Sequence, residues 1–124
     1  MPLKKPEYTL WKNAGYAISG LIEVTRHERS FQLQLLLFVV MNAIAWSLPV
    51  AFGYAAALSV SLLIPIMAEL ANSAVERVVD LVTHEYHELA KRAKDAGAAL
   101  VFVSLLFTGS VWVAILASSF NVFG

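Results

Sequence analysis

The sequence predicts an all-α membrane protein with three transmembrane helices and an N-terminal amphipathic surface helix. Composition points there first: of 124 residues, 59% are hydrophobic and only 15% charged, whereas a soluble domain is about half apolar and about a quarter charged. Mean hydropathy is +0.68. The placement of charge is the second observation. No Lys, Arg, Asp or Glu occurs from Ser30 to Ala68 or from Ala96 to Gly124, so every charge lies in Lys4–Arg29 or Glu69–Asp95. The third is a Pro/Gly-bearing turn, "SLPVAFGY", inside the first uncharged run. The length suits a single domain over residues 1–124.

The surface helix is expected over about residues 6–28. Leu10, Trp11, Ala14, Ile18, Leu21 and Ile22 recur at helical spacing, with Lys12, Ser19 and Glu23 off that face. Trp11 and Tyr16 suit the headgroup layer, and Lys4 and Lys5 suit anionic lipid. The pattern fits a helix lying on the cytoplasmic leaflet and equally one packed on the bundle. It is not a signal peptide, being too polar for an apolar h-region and lacking an A-x-A site.

A span needs about 20 mainly apolar residues. The first is expected over about 31–48. The second begins near Tyr54, leaves the hydrocarbon around Glu69 and continues as a helix to about Val82. Pro65 removes a backbone bond to the carbonyl of Ser61 and is expected to kink that helix. Residues 98–120 form the third span. All nine basic residues lie in the N-terminal region or between Arg77 and Lys94. The positive-inside rule therefore puts the N-terminus and the loop between the second and third spans in the cytoplasm, and the C-terminus outside.

"AELANSAVERVVD", Ala68–Asp80, follows the uncharged run directly. At about 100° per residue, Glu69, Asn72, Ser73, Glu76 and Asp80 share one face within about 100° of arc. For Asp80 the simplest reading is a solvated polar face; for Glu76 that reading and a functional one are equally open. Glu69 sits at the boundary, where burying an ionised carboxylate costs several kcal/mol, so a functional role is the default reading. Two carboxylates a turn or two apart can hold Mg²⁺ with substrate phosphates and water. A third can act as base toward a hydroxyl presented at headgroup depth. Lys91, Arg92 and Lys94 in the following loop could meet polyphosphate, and Glu28 and Arg29 lie at the same depth.

Several classes are excluded or disfavoured. The absence of cysteine excludes disulfides, Fe–S clusters and thiol nucleophiles. A net charge of zero gives nucleic-acid binding no electrostatic support. There is no Walker A, H-R-D or D-F-G motif. His84 and His87 lack an obvious third zinc ligand and are expected in a polar loop.

"AELANSAVERVVDLVTHEYHELAKRAKDAGAALV", Ala68–Val101, resembles the signature region of the prokaryotic diacylglycerol kinase family. The family pattern E-x-x-N-[ST]-A-x-E-x-x-V-D, then E-Y-H and A-K-D, is met by Glu69, Asn72, Ser73, Ala74, Glu76, Val79 and Asp80, then Glu85-Tyr86-His87 and Ala93-Lys94-Asp95. "NAGYAISGL", Asn13–Leu21, and Glu28 also resemble family features. Family members often carry a basic residue just upstream of the N-terminal lysine; Thr9-Leu10-Trp11 stands there in this chain.

The resemblance implies a lipid kinase of the bacterial inner membrane, working as a homotrimer with sites shared between subunits. It would transfer the γ-phosphoryl of MgATP to diacylglycerol, giving phosphatidic acid. By position, Glu69 would be the general base and Asn72 would orient the reacting groups. Glu28 and Glu76 would ligand Mg²⁺. Tyr16, Glu28, Glu76, Glu85, Tyr86, His87, Lys94 and Asp95 would line the nucleotide site, and Glu69 and Ala98 would meet the lipid. "HEYHEL" resembles the diacylglycerol branch, with undecaprenol as the alternative substrate. A non-catalytic membrane subunit or an ion-transport subunit is the alternative of another class. Against transport, neither the first nor the third span carries an ionisable partner for Glu69.

Overall fold

Thr9 opens the first helix, α1 (Leu10–His27), as its N-cap: its Oγ1 accepts from the backbone N–H of Lys12 at 3.4 Å. The computed structural model describes residues 9–121. Residues 6–8 and Lys4 and Lys5, which the sequence assigns to the surface helix and its lipid contacts, lie outside the described residues. Leu10, Trp11, Ile18, Leu21 and Ile22 are all exposed, and Val24 is the one buried side chain of α1. Arg26 and His27 stand at the negative end of its dipole.

The chain reverses at Glu28, whose extended backbone both ends α1 and precedes α2 (Arg29–Ser47). Gln32 of α2 donates to the carbonyl of Thr25 at 2.9 Å, so α2 itself satisfies part of the end of α1. Phe31, one turn into α2, is fully buried and packs with Val24 and Ile66. The turn after α2 runs from Leu48 to Ala51. Gly53, expected in that turn, lies inside the next helix instead.

The second span is two helices rather than one: α3 (Phe52–Ser61) and α4 (Leu63–Val82). The break falls at Leu62, just before Pro65, because the proline supplies no N–H to the Ser61 carbonyl. Thr108 of the third span donates to that carbonyl at 2.9 Å, and Ser61 Oγ donates back to the Leu58 carbonyl at 2.7 Å. The kink expected at Pro65 is thus a defined break whose freed acceptor is satisfied across helices.

The last helix, α5 (Glu88–Ser119), starts ten residues before the expected third span. Lys91, Arg92 and Lys94, expected in a loop, are therefore helical. His87 caps this helix, its Nδ1 accepting from the N–H of Leu89 at 3.1 Å. At 32 residues and about 1.5 Å per residue, α5 exceeds the roughly 30 Å hydrocarbon core. Its charged residues, Glu88 to Asp95, all lie in its first turns, ahead of the uncharged run. Asn121, in the left-handed region at φ 54°, ends the helix.

The helices Arg29–Ser47, Phe52–Val82 and Glu88–Ser119 are each long and apolar enough to cross a membrane. Leu36, Leu37, Val39, Phe102, Val103 and Val113 face outward, as suits lipid. Inside, Ala45, Leu58, Leu62 and Trp112 form one cluster. Lipid tails compete equally for apolar surface, so helix association depends on close approach and interhelical hydrogen bonds. Close approach is provided at Gly97, beside Asn72 of α4. The bonds are Thr108 to Ser61 and Ser59 to Asn42, which link α5 to α3 and α3 to α2.

Candidate active site

The polar stripe of α4 is turned inward rather than solvated at its membrane end. Glu69 is 6% exposed, Asn72 8% and Ser73 2%, whereas Glu76 is exposed. A carboxylate so enclosed needs a donor, and Ser30 Oγ supplies one to Glu69 Oε1 at 2.9 Å. In the opposite sense, Ser73 Oγ donates to Glu28 Oε2. Two hydroxyl–carboxylate bonds thus fasten the α1–α2 junction to α4, each element giving one serine and one glutamate. Glu69 and Ser73 can both face that junction because they are one helical turn apart.

Glu28 is held further by Arg77, whose Nη2 lies 2.9 Å and Nε 3.1 Å from Glu28 Oε1, while Nη1 pairs with Glu23. The guanidinium fork suits this bridging of two carboxylates. Arg77 was not singled out in the sequence. It lies one position beyond Glu76, and its partners are 49 and 54 residues away.

Asn72 Nδ2 donates to Glu76 Oε1 at 3.4 Å, a long bond. Its Oδ1 is buried with no donor among the described residues and lies over Gly97. A Cβ on Gly97 would overlap that oxygen and come within 3.3 Å of Asn72 Cγ. The glycine therefore makes room for the amide, and the amide in turn directs its N–H toward Glu76.

Beyond Glu76, an open cavity of about 400 Å³ lies between the end of α4, the connection of residues 83–87 and the start of α5. It gathers Glu85, Tyr86, His87, Lys94 and Asp95, five of the residues expected around a nucleotide. Val79, Thr83, His84 and Lys91 line it too. Lys91 Nζ pairs with Asp95 at 2.6 Å and Lys94 Nζ with Asp80 at 2.8 Å. Asp80 is thus ion-paired across the connection, not simply solvated. Tyr16 does not join the cavity; it stands exposed on α1.

On the membrane side of Glu69, a groove of about 420 Å³ between α4 and α5 is lined by Met67, Ala68, Ala71, Leu100, Val103 and Phe107, among others. Ala98 is exposed on α5 beside Gly97 and outside the lining of that groove. Along one face of α4 the order is buried carboxylate, amide and exposed carboxylate, while the apolar groove lies on the other face of the helix.

Glu76 fits a hard cation best: it is exposed and, among the described residues, accepts only a long bond from Asn72. Glu28 offers the same oxygen chemistry with both oxygens already engaged, by Ser73 and Arg77. Among the described residues, no three His, Cys, Asp or Glu side chains converge into a metal cage. Mg²⁺ needs no such cage, because it keeps waters and binds through one or two carboxylates plus substrate phosphates.

Three helices long and apolar enough to cross a membrane, with buried and exposed carboxylates gathered at one end of the bundle, define a helical membrane protein with a polar site at that end. Comparison with known proteins specifies which. A family model described as "Prokaryotic diacylglycerol kinase" matches residues 15–116. A diacylglycerol kinase of Pseudomonas aeruginosa is 39% identical over 102 residues, covering 82% of this chain and 83% of the relative. The diacylglycerol kinase of Escherichia coli K12 is 35% identical over 110 residues, 89% of this chain and 90% of the relative. That of Haemophilus influenzae is 37% identical over 101 residues, 82% and 86% respectively. The chain belongs to the prokaryotic diacylglycerol kinase family and is a lipid kinase.

Proposed function

We propose that this protein phosphorylates diacylglycerol to phosphatidic acid with MgATP, at the cytoplasmic face of the bacterial inner membrane. The observation that carries the reading is the buried Glu69 at the end of an uncharged span, held by Ser30 and sharing one face of α4 with Asn72 and the exposed Glu76. A lipid beside the bundle presents its hydroxyl at headgroup depth, where Glu69 stands, without its chains leaving the hydrocarbon. A nucleotide in the cavity, beside Lys91 and Lys94, extends its terminal phosphate toward Glu76.

Glu69 acts as general base. It takes the proton of the lipid hydroxyl as that oxygen attacks the γ-phosphorus and ADP departs. Asn72, fixed over Gly97, orients the groups between Glu69 and Glu76. Glu76 and Glu28 would hold Mg²⁺, which would neutralise phosphate charge. Phosphoryl transfer depends mainly on positioning and charge neutralisation, so this small set suffices without a P-loop.

The chain is a single domain, with its N-terminus and the α4–α5 connection cytoplasmic, as the basic residues favour, and its C-terminus outward. α1 lies on the cytoplasmic leaflet, which accounts for its exposed Leu10, Trp11 and Ile18. The functional unit is a homotrimer with sites shared between subunits. The engagement of Glu28 by Arg77 within one chain, on the junction side of α4, supports completion of each metal site by a neighbour's carboxylate.

The test is phosphate transfer from ATP by detergent-purified protein to diacylglycerol and, separately, undecaprenol, each with and without Mg²⁺. Mg²⁺-dependent product from diacylglycerol is expected. Product from undecaprenol alone moves the substrate within the family, and none from either lipid in a folded oligomer refutes the reading.

A further inference from the structure

We propose that Ser30 is a positioning residue for proton transfer: its hydroxyl holds Glu69 Oε1 and leaves Oε2 to the lipid hydroxyl. The inference rests on the reading of Glu69 as base. Glu69 extends from α4, and a glutamate has enough rotatable bonds to adopt several orientations. Ser30 fixes it from a different element through the 2.9 Å bond to Oε1. Ser30 is the second residue of α2, so it stands where unsatisfied backbone N–H groups and the positive end of the helix dipole also favour a carboxylate. A hydroxyl bond to an ionised acceptor is among the stronger hydrogen bonds. The Ser73–Glu28 bond braces the same junction from the other side, so the anchor is itself held.

In the step, the lipid O–H bond breaks and its proton moves to Glu69 Oε2. The lipid oxygen bonds the γ-phosphorus, the bond to the bridging oxygen breaks, and ADP leaves with that electron pair. Glu69 then releases the proton to water. Ser30 keeps its own proton throughout, so it contributes orientation and no chemistry.

Ser30→Ala, Ser30→Thr and Glu69→Gln are compared in detergent micelles, measuring kcat and KM for MgATP and for diacylglycerol, and nucleotide binding by calorimetry. Ser30→Ala is expected to lower kcat by about tenfold to a hundredfold, the range of one hydrogen bond to a charged group. Both KM values and nucleotide affinity stay within about twofold. Ser30→Thr restores kcat; the serine is exposed, which leaves room for the methyl group. Ser30→Ala adds no further loss in a Glu69→Gln background. Unchanged kcat in Ser30→Ala, a loss that Thr does not restore, or a loss confined to KM overturns the assignment. If Glu69→Gln itself turns over normally, the base reading fails. If Glu69→Gln is inactive and Ser30→Ala is normal, only the role of Ser30 fails.

Discussion

Thr108→Val removes a hydroxyl and keeps the side chain's shape. Thr108 Oγ1 donates at 2.9 Å to the Ser61 carbonyl, which lacks its intrahelical donor because residue 65 is proline. Interhelical hydrogen bonds in membrane proteins contribute about 0.6 kcal/mol on average and about 1.7 at most. A buried acceptor left with no partner costs about 1–3 kcal/mol. With the N–H of residue 65 missing, Thr108→Val is expected to cost about 1–2 kcal/mol. Pro65→Ala returns a backbone N–H that can reach the Ser61 carbonyl. In that background the same Thr108 change should cost only a few tenths of a kcal/mol. Reversible denaturation in mixed micelles, run as a double-mutant cycle, measures the coupling. Equal cost in both backgrounds would refute the claim that Thr108 compensates for Pro65.

Gly97→Ala places a methyl group against Asn72 Oδ1. It is expected to cost about 1–3 kcal/mol as overpacking, or to displace the amide and lower turnover. In an Asn72→Ala background the methyl should be accommodated, which thermal denaturation and an activity assay check together. Glu76→Gln and Glu28→Gln are expected to raise the Mg²⁺ concentration for half-maximal turnover by about tenfold or more, as read from a metal titration at fixed ATP. Undiminished turnover without any divalent metal would remove both ligand roles.

Much of the fold was legible because membrane insertion imposes strong constraints on sequence. The uncharged runs bounded by Ser30–Ala68 and Ala96–Gly124 mark the hydrocarbon, and the 3.6-residue period put Glu69, Asn72, Ser73 and Glu76 on one face. Charge marks where the bilayer ends, though, and not where a helix ends. A span read from charge therefore starts ten residues after α5 does, although Leu89, Ala90, Lys91, Arg92 and Ala93 are good helix formers. The break at Leu62 was visible only as a proline three residues on. The Asp80–Lys94, Ser30–Glu69 and Ser73–Glu28 pairs join residues 14, 39 and 45 positions apart. No local period encodes such contacts. Gly97, an isolated glycine between Ala96 and Ala98, was the one local sign that α4 and α5 approach closely. Only the resemblance links Tyr16 to the nucleotide site, and within one chain it stands apart from the cavity.

The most direct measurement is transfer of labelled γ-phosphate from ATP to diacylglycerol by the wild-type protein and by Glu69→Gln, with nucleotide binding measured on both. Mg²⁺-dependent labelled phosphatidic acid is expected from the wild type. Glu69→Gln should bind nucleotide equally and form product at least a hundredfold more slowly, within the range of about 10²–10⁴ for loss of a general base. Near-normal transfer by Glu69→Gln would contradict the assignment of that carboxylate as the base.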